Sequence, residues 1–447
     1  MKRHPDQLRL PFSEGECFEA RSNSQANRLG ARDRAFHDWY RFVLSFPPHL
    51  VNQYIDDFGL DGETVVLDPF CGTGTTLVES NLRGIPSVGL EANPFAHFAT
   101  SVKTDWDLDP DLLRSRAKAI ADSALSLLDS QGISDVQPFS GNLEDVLLKT
   151  LHPEAEKLLI TNSISPLPLH KTLVLLDCLQ AHRNERYYGH ALLALANSLV
   201  FTVSNLRFGP EVGVGKPKHD APVVSSWLAQ VEKIANDLRL VAGKSLPGCT
   251  AHLADARRIN EVLAPGSIDA VVTSPPYPNE KDYTRTTRLE SVVLGFINNK
   301  ADLREKKKDL VRSNTRGVYK ADDDNKYVAQ HPEIQRIVQA IEDRRIELGK
   351  TSGFEKTYGR VTELYFGGMA RHLTQLREVL RPGARLAYVV GDQASYLRIM
   401  IRTGQLLADI AQGLGYELVR TDLFRTRFAT ATKEQLREEV VVLQWNG

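Results

Sequence analysis

Three acidic residues close short apolar runs in this chain: Asp68 after Val65-Val66-Leu67, Glu91 after Val88-Gly89-Leu90, and Asp255 after Ala251-His252-Leu253-Ala254. Carboxylates at the ends of successive buried strands point to the carboxyl edge of an open α/β sheet, where such folds bind ligands. Gly72-x-Gly74 follows Asp68 and precedes a helical pattern, a spacing that permits positive φ and close approach of a ligand to the backbone. The third fingerprint position is Leu77, so a dinucleotide loop is disfavoured. A carboxylate beside the turn would also repel a phosphate. A fourth apolar run, Ile268–Val272, leads into Ser274-Pro275-Pro276-Tyr277. Each proline removes a ladder N–H, so the strand must stop there in a rigid turn at the sheet edge.

The ligand these groups suit carries a cation and hydroxyls. S-adenosyl-L-methionine meets that description, with an α-ammonium, a ribose diol and an adenine amino group but no phosphate. Glu91, at the end of the second strand, is the expected diol partner. A competing phosphate loop, GPEVGVGKP at 209–217, fails because Pro210 and Pro217 take its first glycine and its hydroxyl position. Four cysteines lie far apart without a CxxC pair, so neither a metal site nor a disulfide framework is expected.

The elements that position these groups follow from pattern. Pro47-Pro48 opens a helix with Leu50, Val51, Tyr54 and Ile55 on one face. A strand at 64–67, a helix from about Thr75 to Arg83 and a strand over 87–91 form the opening of a doubly wound sheet. The alternation resumes at 251–253 and 268–272. It closes with a helix over 361–380, a strand in ARLAYVVGD, a helix over 403–414 and two strands, YELVRTDLF and EEVVVLQW. The expected fold is therefore α/β, a Rossmann-like sheet with two large insertions, one mainly helical. Its divisions are a mobile N-terminal arm over 1–35, a cofactor-binding half over 36–99, a helical insertion over 100–248, a catalytic part over 249–285, a charged insertion over 286–356, and the remainder over 357–447. Lysine and arginine total 55 against 56 acidic residues, so any polyanion-binding surface must arise from local clustering. No stretch approaches the ~20 apolar residues of a membrane span and no signal core opens the chain, so a cytoplasmic setting is expected.

DPFCGTGT (68–75) together with SPPY (274–277) resembles the DNA amino-methyltransferases, which methylate the exocyclic amino group of cytosine or adenine. The resemblance covers roughly 36–99, 250–285 and 357–447. It implies a Rossmann-like S-adenosylmethionine-dependent methyltransferase fold, double-stranded DNA as substrate and a target base rotated out of the helix. Ser274 Oγ and the Pro275 carbonyl would accept the amino hydrogens, Pro276 would stiffen the turn and Tyr277 would stack on the base. Cofactor contacts would come from Asp68, Pro69, Phe70, Gly72, Gly74 and Thr75, from Glu91 and Asn93, and from Asp255 and Ala256. WYRFVLSFPPHL resembles the segment that lines the methionine end of the pocket. Serine in the first motif position is commoner among cytosine-N4 enzymes, which tilts the expectation to N4 of cytosine over N6 of adenine. The alternatives are an RNA amino-methyltransferase, a protein-glutamine methyltransferase and an inactive DNA-binding scaffold. A restriction endonuclease or another defence component is the expected partner.

Sequence readout is expected in an insertion. The 280–355 segment offers Lys281, Arg285, Arg288, Arg304, Lys306, Lys307, Lys308, Arg312 and Arg316 with Tyr283 and Tyr319 interspersed, a composition suited to phosphates and grooves. YTRTTR, directly after the proline turn, is the first candidate there. SNLRFGPEVGVGKPKHDAP, with Arg207, Lys216 and Lys218, is the most function-like part of the helical insertion.

Overall fold

Short apolar runs broken by turn residues become the strands β1 (Val66–Asp68), β2 (Ser87–Glu91), β3 (Leu206–Phe208), β4 (Val212–Val214), β5 (Cys249–Leu253), β6 (Ile268–Thr273), β7 (Leu380–Gly391), β8 (Glu417–Ala429) and β9 (Glu434–Trp445) in the computed structural model. The structure describes residues 29–30, 33–42, 45–209, 211–278, 281–429 and 434–447. The expected arm over 1–35 thus lies almost wholly outside the described residues. Seven strands form one sheet in the order β5-β2-β1-β6-β7-β9-β8, and β3 pairs with β4 apart from it. The first five run parallel, while β9 is antiparallel to both β7 and β8. This is the expected Rossmann-like sheet, and the strand order reverses beside β1, bringing the ends of β1, β2, β5 and β6 to one crevice.

Both faces are covered. Helix Pro48–Phe58 starts with proline at its first turn and stops at Gly59, whose φ of 67° is left-handed. Its Leu50, Val51, Tyr54 and Ile55 pack on Val66, Val272, Val389 and Val440. Each such aliphatic side chain taken from water contributes ~1.5–3 kcal/mol. On the other face, helix Tyr358–Val379 buries Tyr365, Phe366, Met369 and Leu373 against Leu67, Val271 and Leu386.

Helices Pro110–Asp129, Pro166–Gln180, Tyr188–Ser198 and Val223–Val241 build a second core around the fully buried Trp227, whose indole N–H donates to the Ala191 carbonyl at 2.8 Å. Asp135 closes the start of the last helix by accepting from the backbone N–H groups of Val223, Val224 and Ser225. Phe36, Trp39 and Tyr40 enter the same core, and so do Phe95, Ala99 and Val102 of helix Pro94–Thr104. The helical insertion therefore grips the segments that flank the crevice.

The second insertion docks through a short turn, Asp324–Val328, against helix Tyr358–Val379. A Cβ at Gly367 would stand 2.0 Å from the Asp324 carbonyl oxygen, and both neighbours are backbone. Gly367→Ala is expected to cost about 3 kcal/mol or more, at the upper end of overpacking penalties. Thermal and urea denaturation should register the loss, whereas Gly243→Ala, in open space but also strained by positive φ, should cost only about 1 kcal/mol.

Candidate active site

The turn after β1 is shaped by its glycines and by helix Pro94–Thr104 beneath it. Gly72 and Gly74 have φ of 54° and 81°. A Cβ on Gly74 would lie 2.9 Å from Thr100 Cγ2. The Thr100 hydroxyl donates to the Gly72 carbonyl at 2.8 Å and the fully buried Lys103 ammonium to the Thr73 carbonyl at 2.7 Å. Burial pushes that ammonium down to about 7.

Asp68 does not face the crevice. It is fully buried, accepting from the Thr273 hydroxyl at 2.6 Å, the Thr76 hydroxyl at 2.7 Å and the Phe70 N–H at 3.1 Å. Burial raises its carboxyl to about 6 even though those three donors pull the other way. Glu91 does face the crevice. Its oxygens accept one backbone N–H each, from Gly72 at 2.9 Å and Asn93 at 2.7 Å, and burial raises it to about 7. Asn93 caps helix Pro94–Thr104 through Oδ1, and its amide donates to the Thr287 hydroxyl at 3.2 Å. Asp255 is turned away and held by Arg257, which donates through Nε at 2.9 Å and Nη2 at 2.8 Å.

At the end of β6, the Ser274 hydroxyl donates to the Val389 carbonyl at 3.2 Å. Its oxygen lone pairs remain available as acceptors. Tyr277 packs on β7 where no side chain intrudes, since a Cβ on Gly391 would lie 3.0 Å from its ring and 3.2 Å from Glu438 Cγ. Burial raises the Tyr277 phenol, and the charge of Glu438 raises it further. Arg425 forks Glu438 at 2.6 and 3.0 Å, and Arg427 approaches it at 2.9 Å.

These groups surround one cavity of about 210 Å³. Ser274, Pro275, Pro276 and Tyr277 line it, as do Pro69, Phe70, Gly72, Thr75, Glu91, Asn93 and Ala256. Asp68, Gly74 and Asp255 do not, so the expectation of three carboxylates converging on the crevice holds for Glu91 alone. Phe42 and Phe46 complete the end nearest the glycine turn, where the WYRFVLSFPPHL segment is expected. Two walls escaped the sequence reading. One is the strip from Lys307 to Asn314, and the other is Phe424, Arg425, Arg427 and Glu438 on the last hairpin. A period-two charge pattern, Arg425-x-Arg427, was the available signal for the second.

Some cations of the charged insertion serve its own packing. Lys307 forms a buried pair with Asp282 at 2.6 Å, and Arg312 pairs with Asp322 at 2.8 Å while lying over the Tyr319 ring. In YTRTTR, Arg288 donates to the carbonyls of Thr284 and Leu158. These cations hold the insertion together and close the cavity.

The glycine turn, Glu91 and the Ser274–Tyr277 turn thus meet in one cavity at the carboxyl edge of an α/β sheet. The chain is 26% identical to the type II methyltransferase M.BsoBI of Geobacillus stearothermophilus, over 94% of this chain and 86% of that protein. It is 23% identical to the type II methyltransferase M.AvaI of Nostoc sp., over 88% and 81% of the two chains. A 72-residue stretch, 16% of the chain, is 33% identical to the type II methyltransferase M.MjaII of Methanocaldococcus jannaschii. No protein-family model matches the chain. These relatives bear out the resemblance to the DNA amino-methyltransferases. No helix among the described residues is long and apolar enough to cross a membrane.

The placement of Asp68 has a measurable consequence. Its raised pKa means that between about 4 and 6 the folded protein keeps a proton that the unfolded chain has released, so this group's contribution falls as pH rises through that window. Asp68→Asn, which retains acceptors and carries no charge, should gain on the wild type in melting temperature across the same window. Asp68→Ala leaves its donors unsatisfied and should cost about 3 kcal/mol near pH 4, and less as pH rises through the window.

Proposed function

We propose that the protein is a site-specific DNA methyltransferase acting on the exocyclic N4 of a flipped-out cytosine, with S-adenosyl-L-methionine as methyl donor, in restriction–modification or phage defence alongside a separate endonuclease or defence partner. The observation that carries this reading is Ser274. Its hydroxyl lines the cavity beside the proline pair and reaches the Val389 carbonyl at 3.2 Å, which leaves lone-pair capacity on Oγ to meet an incoming amino group.

The cofactor would supply an electrophilic methyl group on a sulfonium. The donor set fits it: Glu91 spends one lone pair per oxygen on backbone N–H groups and keeps others for a diol. The positive-φ turn lets backbone approach the ligand closely. Among the expected cofactor residues we assign direct contact to Glu91, Gly72, Phe70, Pro69, Thr75, Asn93 and Ala256. Asp68, Gly74 and Asp255 are supports.

An aromatic amino nitrogen is a poor nucleophile because its lone pair is delocalised into the ring. Two acceptors, Ser274 Oγ and the Pro275 carbonyl, would each take one amino N–H and turn the lone pair toward the methyl. The nitrogen would take the methyl group as its bond to sulfur breaks, the electron pair of that bond staying with the departing thioether, and the extra amino proton would leave to solvent. The prolines contribute by fixing the carbonyl in advance, which is catalysis by positioning. Tyr277, held against Gly391, would stack on the extruded base. In this scheme the chain divides as read from the sequence, with 36–99, 249–285 and 357–447 forming the catalytic domain and 100–248 a helical lobe; 286–356 contributes a cavity wall.

Labelled methyl transfer to mixed-sequence DNA, followed by nucleoside analysis, should yield N4-methylcytosine. N6-methyladenine would overturn the base assignment, and transfer to RNA alone would overturn the substrate class. Ser274→Ala should lower kcat by about 100-fold with cofactor affinity unchanged. Tyr277→Ala should weaken engagement of the base by ~1–3 kcal/mol.

Glu91 gives a pH test. Its ionised form is the better diol acceptor, and it protonates below about 7. Cofactor affinity measured by calorimetry should therefore fall toward tenfold between about pH 8 and 6. Glu91→Gln should bind weakly and lose that slope.

A further inference from the structure

The β3–β4 pair is a two-stranded ribbon outside the main sheet, with Leu206 opposite Val214, Arg207 opposite Gly213 and Phe208 opposite Val212. Nothing found so far explains it. A ribbon of two short strands is marginal in water by itself, and its open edges are usually covered. This one is held from its root. Asn205, 3% exposed, donates through its amide to the Asn162 carbonyl at 3.0 Å. Its carbonyl accepts from the Gly215 N–H at 2.7 Å and its Oδ1 from the Lys218 N–H at 2.7 Å. The root is fixed while Arg207, Glu211 and Lys216 stand exposed.

The ribbon lies near the cavity without lining it. Phe208 lies 5.5 Å from Phe201, Phe201 lies 5.9 Å from Tyr40, and Tyr40 meets Phe42, which lines the cavity. On the other side, the charge of Glu211 reaches Lys281, another lining residue, and weakly opposes the lowering that burial imposes on its ammonium. The ribbon's cations differ from two cations of the charged insertion. Lys307 and Arg312 are consumed in buried pairs, whereas among the described residues no carboxylate lies within ion-pair reach of Arg207 or Lys216. Glycines at 209, 213 and 215 keep the ribbon thin.

We propose that this ribbon enters the major groove of duplex DNA beside the extruded base, Arg207 and Lys216 meeting phosphates and Glu211, in the turn, reading a base edge. The inference rests on the DNA-methyltransferase reading above. A B-form major groove is about 12 Å wide and admits a two-stranded ribbon. A carboxylate there accepts from the amino group of cytosine, while lysine and arginine on the flanks add sequence-independent attraction.

The test uses the full chain and two surface variants, Arg207→Ala/Lys216→Ala and Glu211→Ala. Binding to a mixed-sequence duplex is measured against salt, and methylation-aware sequencing is run on fragmented genomic DNA. The double variant should bind DNA more weakly on all sequences, with a salt slope smaller by about 2, and should bind S-adenosylmethionine as the wild type does. Glu211→Ala should still methylate DNA but accept more than one base at one position of its site. Wild-type methylation with salt slope and site unchanged in both variants overturns the ribbon and leaves the enzyme reading standing. A wild type that neither binds nor methylates DNA overturns both.

Discussion

The hydrogen bond from Thr273 to Asp68 joins the two halves of the site. It spans 205 residues of sequence and ties the last residue of β1 to the last residue of β6 at 2.6 Å. The glycine turn grows from one of those strand ends and the Ser274–Tyr277 turn from the other, so the distance between ligand cradle and acceptor turn is set where the strands meet. Thr76 adds a third anchor from the first residues of helix Thr75–Leu82. A carboxylate buried without donors would cost several kcal/mol. Here three donors offset that cost, and the carboxyl still titrates well above its usual range. Asp68 is thus the joint between the glycine turn and the Ser274–Tyr277 turn.

This shows which part of a strand-end rule is readable in sequence. The rule placed the site at the carboxyl edge, and Glu91, Phe70, Gly72 and Ser274 line the cavity there. It could not say which way the last side chain of each strand turns. Asp68 turns under the sheet edge because two hydroxyls wait there, one of them 205 residues away. Asp255 turns aside because Arg257, two residues on, folds back as a guanidinium fork. Glu91 turns outward because backbone N–H groups of Gly72 and Asn93 meet it at the crevice. The strands themselves were legible, since apolar runs ended by Gly, Pro and Asp carry their own boundaries.

The second insertion is where composition misled. A run such as Arg304–Lys308 reads as a solvated or DNA-facing helix side when only charge is counted. Burial reassigns Lys307 alone, while Arg304 and Lys308 stay exposed. Asp255, Arg257, Asp324 and Arg371 form a linked ion set, with Arg257 donating to Asp324 at 2.6 Å and Arg371 at 3.2 Å. Arg257 also reaches the Lys308 carbonyl at 2.8 Å. That set clamps the insertion over the β5 turn and leaves the 307–314 strip as a cavity wall. Pairings between residues 51 and 67 positions apart have no local pattern to reveal them.

The last hairpin supplies the opposite wall by the same means. Glu438 is 6% exposed, forked by Arg425 and approached by Arg427, and it packs beside Tyr277 where Gly391 leaves room. Stability alone does not explain such a set, because well-packed apolar residues of equal volume usually serve as well. What the ions add is direction. The fork fixes Glu438, and β9 carries Glu438 opposite Gly391 in register. The wall facing Ser274 is therefore polar and held from both strands. Under the proposed reading, a ring that stacks on an incoming base would need such a rigid backing, since any slack in Tyr277 would be subtracted from the stacking.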